Sequence, residues 1–93
     1  MQYIVKVTPV AFADIKNAVD YYNSRQKGLG KRFYTVIVDT LERIRKMPLA
    51  ASIAYDDVRY KVVDKFPYVI LYKIQGDLIF IARIFNTHQQ PER

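Results

Sequence analysis

An α+β fold with the element order β-α-α-β-β-β is the class this sequence predicts, and three observations carry the prediction. Apolar residues between positions 12 and 44 recur at helical spacings of three and four. From Val58 to Phe85 the pattern changes to alternation and to short, nearly continuous apolar runs. Turn signals sit between the pieces, at Thr8-Pro9, Lys27-Gly28-Leu29-Gly30, Phe66-Pro67 and Gln75-Gly76-Asp77. The chain has 93 residues, enough for one domain. It is 51% hydrophobic and 14% aromatic, which excludes disorder for most of its length.

Tyr3, Val5 and Val7 alternate with Ile4 and Lys6, so residues 3–7 form a short strand. Thr8 then caps a helix whose first position is Pro9. Phe12, Ile15, Val19 and Tyr22 make its apolar stripe, and it ends near Asn23-Ser24. Two glycines in the next link favour a tight helix–helix connection. The second helix carries Phe33, Val36, Ile37, Thr40, Leu41 and Ile44 on one face and stops before Pro48. Residues 58–63 alternate. Residues 68–74 are apolar on both faces except Lys73, as suits a central strand. Residues 78–85 are interrupted only by Arg83, and the polar tail from Asn86, with Pro91, ends the sheet. The last three strands pair antiparallel, and the helical hairpin packs on one face of the sheet.

Composition excludes several kinds of chemistry. With no cysteine there is no disulfide scaffold, thiolate metal site or cysteine nucleophile. One histidine, His88, makes no multi-histidine metal site. No metal or other cofactor is expected. No stretch approaches the ~20 apolar residues of a spanning helix, and the N-terminus lacks a signal-peptide pattern, so a cytoplasmic protein with no membrane partner is expected.

Fifteen Lys and Arg against nine Asp and Glu give a formal charge of +6, which favours an acidic partner. Between Arg25 and Lys46 seven basic residues, Arg32 and Arg43 among them, face two acidic ones, for a net +5. That segment is either a positive docking surface or a solvated helix face. Arg59 and Lys61 share one face of their strand. Arg83, within an apolar run, either reaches a carboxylate or opens onto a concave sheet surface, because an unpaired buried guanidinium is costly. Arg59, Lys61 and Arg83 together would hold phosphates or carboxylates; the alternative is structural ion pairing, for instance to Asp57 or Asp64. His88 is either a plain surface residue or a general acid or base beyond the last strand. No nucleophile–base set, carboxylate pair or phosphate loop is present.

The ordered segments 13–22 (ADIKNAVDYY), 29–33 (LGKRF), 41–48 (LERIRKMP), Val58-Arg59, 68–74 (YVILYKI) and 79–85 (IFIARIF) resemble the ParE/RelE superfamily, toxins of bacterial type II toxin–antitoxin modules. The resemblance covers nearly the whole chain and implies two helices on a curved antiparallel sheet. RelE-like members cleave mRNA in the ribosome and are similar to one another in an arginine directly after the tyrosine of the central strand. Val69 occupies that position here. The pattern Val58-Arg59, Tyr68-Val69-Ile70, Tyr72 and Arg83-Ile84 is closer to ParE, whose members poison DNA gyrase and have no recognised catalytic set. Many members carry a histidine soon after the final strand; here that position is Asn86, with His88 two residues on. The resemblance therefore implies a gyrase-inhibiting toxin neutralised by a cognate antitoxin, in a toxin–antitoxin hetero-oligomer. Arg59, Arg83, His88, Arg32 and Arg43 are the expected partner contacts. The alternative is a ribosome-dependent mRNA endonuclease that uses Arg59, Lys61, Arg83 and His88 on its phosphate.

Overall fold

The computed structural model describes residues 2–88. Strand β1 (Ile4–Val7) leads into helices α1 (Pro9–Arg25) and α2 (Leu29–Lys46). A 3-10 turn, Pro48–Ala50, precedes β2 (Ser52–Tyr55), β3 (Val58–Val62), β4 (Tyr68–Gln75) and β5 (Leu78–Asn86). The five strands lie in the order β1-β5-β4-β3-β2, with the last four antiparallel to their neighbours in turn. The α+β class and the central place of β4 are as expected.

Two elements differ from expectation. β1 pairs parallel to β5, from Ile4 opposite Leu78 to Val7 opposite Ile81, so the sheet is mixed rather than wholly antiparallel. A fifth strand, β2, also forms the far edge of the sheet. Ser52-Ile53-Ala54-Tyr55 is too short to show a periodicity of its own, and its pairing with β3 is irregular at Ala54. Of the tail, Asn86 ends β5, whereas Pro91 lies outside the described residues.

Thr8 caps α1 by accepting the Ala11 N–H at 3.2 Å, and Pro9 takes the first turn. The buried face of α1 is Ala11, Ile15 and Ala18, with Tyr22 half-buried behind them. Ile15, Val19 and Tyr22 of the expected stripe pack on the core, but Ala11 and Ala18 take buried positions beside them and Phe12 falls outside. Phe12 is consequently 63% exposed, because two alanines rather than a phenylalanine let the helix approach the sheet closely. The turn to α2 uses Gly28 at φ +84°, a backbone conformation that side chains disfavour. Gly30 is required for a different reason. A Cβ there would lie 2.5 Å from the Val19 carbonyl oxygen, and its N–H donates to Asn23 Oδ1 at 2.9 Å. Phe33, Ile37, Thr40 and Ile44 of α2 are buried against Ile70, Tyr72, Ile79 and Ile81 of the sheet. Thr40 satisfies its hydroxyl on the Val36 carbonyl at 2.7 Å. Phe33 makes edge contacts to Phe66 and Tyr68, with ring centroids 5.1 and 5.0 Å apart, and so joins the helices to the β3–β4 turn.

The helices cover one face of the sheet. The other face carries Tyr60 and Val62 of β3 opposite Leu71 and Val69 of β4, all at least partly exposed.

Candidate partner-binding surfaces

Arg83 sits where the alternation of β5 breaks. Leu71 pairs with Arg83 and Tyr72 with Ile81, so Ala82 is an extra residue and the strand bulges. Strict alternation from Ile79 and Ile81 would drive a guanidinium into the core. The bulge shifts the phase, Ile84 takes the inward position and Arg83 turns to α1. Its Nε and Nη2 donate to Asp14 Oδ2 and Oδ1 at 2.8 and 3.0 Å, a bidentate pair. This pairing pushes the guanidinium pKa up, above a value already beyond physiological pH. Asp14 Oδ2 also accepts the Ile84 N–H at 3.0 Å. Thr8 performs a similar task one turn earlier, donating its hydroxyl to the Ile81 carbonyl at 2.8 Å. Helix α1 thus covers the edge of β5 that the short β1 leaves open. Of the two readings of Arg83, the carboxylate is the one observed, on a residue 69 positions away rather than on Asp57 or Asp64.

Those two aspartates have other partners. Asp57 meets Lys73 at 3.7 Å and Asp64 meets Arg43 at 3.4 Å, both on the surface. Arg59 has no carboxylate partner among the described residues. Its Nη1 donates to the Ala51 carbonyl at 2.6 Å and more weakly to that of Leu49 at 3.4 Å. It therefore ties the 3-10 turn and the residue leading into β2 to β3. Tyr72, fully buried, donates its hydroxyl to the Pro48 carbonyl at 2.6 Å from the neighbouring strand. Burial raises the phenol pKa, and the nearby Arg59 opposes that shift.

The basic candidates do not converge. Arg83 and Asp14 line a cavity of about 480 Å³ between α1 and β5, together with Asn17, Tyr21, Phe85 and Asn86. Lys61 lines another, of about 260 Å³, with Arg43 and Lys46 at the end of α2. Arg32 lines a third, with Lys31 and Lys65 above Phe66. His88 is exposed just past β5, where its N–H donates to Asn86 Oδ1 at 2.8 Å. Val69 lies on the open sheet face among other apolar side chains.

Sequence reasoning missed Asp14, because nothing local links it to a residue on the last strand. It also missed the role of Arg59 as a backbone tie, since the strand it ties was not visible. No helix among the described residues is long and apolar enough to cross a membrane.

The fold is similar to that of a solved structure described as the chromosomal ParDE TA system from P. aeruginosa. The TM-score is 0.85 at 20% identity, over 94% of this chain and 98% of that one. A comparison with curated proteins gave no match. The family model described as the ParE toxin of the type II toxin-antitoxin system, parDE, matches residues 5–91. With the match running from β1 past the end of β5, the chain belongs to the ParE toxin family of type II toxin–antitoxin systems.

Proposed function

We propose that this chain is a toxin that inhibits DNA gyrase by binding it, without chemistry of its own, and that a cognate antitoxin with an acidic segment holds it inactive in a hetero-oligomer in the cytoplasm. The observation that carries the target is the open sheet face at Val69. An enzyme that cleaves RNA needs cations and a proton carrier gathered around one phosphate. Of the residues for that task, Arg59 and Lys61 stand together on β3, but Arg83 lies against α1 and His88 past β5, and two of the arginines are already engaged, by Asp14 and by backbone carbonyls. Val69, Leu71, Tyr60 and Val62 offer apolar contact instead. The antitoxin reading is supported by family membership and by the excess of positive charge on α2. Arg32 and Arg43 supply that charge from exposed positions, Arg59 shapes the adjoining turn, and Arg83 and His88 flank the outer end of β5.

The test is a supercoiling assay with purified gyrase, relaxed plasmid and the toxin freed of antitoxin. Inhibition with trapped cleavage complexes is expected. Unimpeded supercoiling at a large molar excess of folded toxin removes gyrase as the target, and cleavage of mRNA on programmed ribosomes would then support the endonuclease.

A further inference from the structure

The cavity between the end of α2, the 3-10 turn and β3 has an unbalanced rim. Arg43, Lys46 and Lys61 line it, and no carboxylate does among the described residues. Among the described residues Arg43 pairs with Asp64 alone, an exposed contact 3.4 Å long that an incoming anion can replace at little cost. The floor is apolar, made by Ile44, Met47, Ala50, Ala51 and Tyr72. The walls are fixed before anything binds. Tyr72 holds Pro48, Arg59 holds Ala51, and the Ala50 N–H donates to the Met47 carbonyl at 3.2 Å. Such preorganisation lowers the ordering cost of binding.

Size and charge narrow the occupant. About 260 Å³ lies below the range of roughly 300–1,000 Å³ typical of small-molecule clefts and suits one or two side chains. A nucleic-acid backbone would satisfy the rim but not the floor. A second copy of a chain with charge +6 is repelled by the rim. The larger cavity at Arg83 already contains its counter-ion in Asp14, and that beside Arg43 and Lys65 contains Asp39 and Asp64. The cavity at Arg32 shares the open cations but has only Val36 and Phe66 as apolar lining.

We propose that this cavity seats one large apolar side chain of the antitoxin, leucine-like in size, with Asp or Glu residues beside it that meet Arg43, Lys46 and Lys61. The inference rests on the toxin–antitoxin reading above and adds the chemistry of the contact.

The probe is a synthetic acidic peptide with a central leucine flanked on each side by glutamates, titrated into the labelled toxin while amide shifts are followed by NMR. Saturable shifts centred on Met47, Ala50, Ala51 and Lys61 are expected, with a dissociation constant on the order of 1 mM or tighter. Replacing the peptide's leucine by alanine should weaken binding roughly tenfold, from the apolar area lost. Replacing its glutamates by glutamines should weaken it too and remove its salt dependence. On the toxin, the double variant Lys46→Glu with Lys61→Glu should abolish the shifts, and Ala50→Leu should do so by filling the cavity without changing charge. The amide spectrum of each variant reports whether it is folded. Shifts centred on Arg83 or Arg32, equal binding of the glutamine peptide, or no saturation with folded toxin overturns the inference. Because gyrase inhibition is read without the peptide, a toxin that poisons gyrase yet ignores the peptide loses this inference alone.

Discussion

The two ends of the helical hairpin treat an arginine in opposite ways. At the α1 end, Arg83 is neutralised by a carboxylate that is mostly buried, with 15% of its side chain exposed, and that also closes a strand edge. At the α2 end, Arg59 gives its Nη1 to carbonyl oxygens, which do not cancel its charge, and the neighbouring cavity adds three more cations. A count of basic residues treats the two ends alike. Only the placement of the carboxylates separates a structural arginine from a surface with charge left to offer.

Gly30→Ala attacks both ends together, because the close approach of α1 and α2 positions each. A Cβ 2.5 Å from a backbone oxygen forces the helices apart, and a loss of about 3 kcal/mol is expected. Chemical denaturation measures it, and an unchanged midpoint would show that the hairpin yields without cost. Asp14→Ala breaks the balanced end alone. It strands the Ile84 N–H and both donors of Arg83, for a loss of about 2 kcal/mol, while the cavity at Lys61 keeps its amide shifts.

Tyr72→Phe tests the other end with the smallest effect. Losing the bond to Pro48 should cost about 1 kcal/mol at neutral pH. The pH dependence sharpens the assignment. The folded protein holds the Tyr72 proton more tightly than the unfolded chain does, so this contribution is complete below the ordinary tyrosine value of about 10 and is lost as pH rises past it. The variant should therefore lose less stability than the wild type between neutral and strongly alkaline pH. Parallel curves for the two proteins would mean that Tyr72 is not the group responsible.

Most of the fold was legible because its signals are local. Thr8-Pro9 begins α1 through a cap three residues long, Pro48 stops α2, and Gln75 to Leu78 folds back over two residues. The illegible parts depend on contacts remote in sequence. Phe12 satisfies the helical spacing as well as Ala11 does, and only the closeness of the sheet selects the alanine. β2 has no pattern of its own and exists by pairing with β3. For the candidate surfaces, charge on α2 and the need of Arg83 for a carboxylate were readable. Which carboxylate, and that Arg59 would bind carbonyls instead, depended on a bulge and on an edge strand that the alternation of residues does not announce.

The parallel pairing of β1 with β5 has a consequence for the order of events in folding. α1 and α2 meet through contacts between neighbours in the chain, so their hairpin can assemble early. β1 has its strand partner in β5, and Thr8 finds its acceptor 73 positions downstream. Loop closure over such a distance is slow relative to helix formation. A newly made chain therefore presents the apolar side of its hairpin, uncovered, until β5 has been synthesised and has threaded between β1 and β4. During that interval it is open to aggregation, to chaperones and to any partner that recognises the hairpin before the sheet is complete.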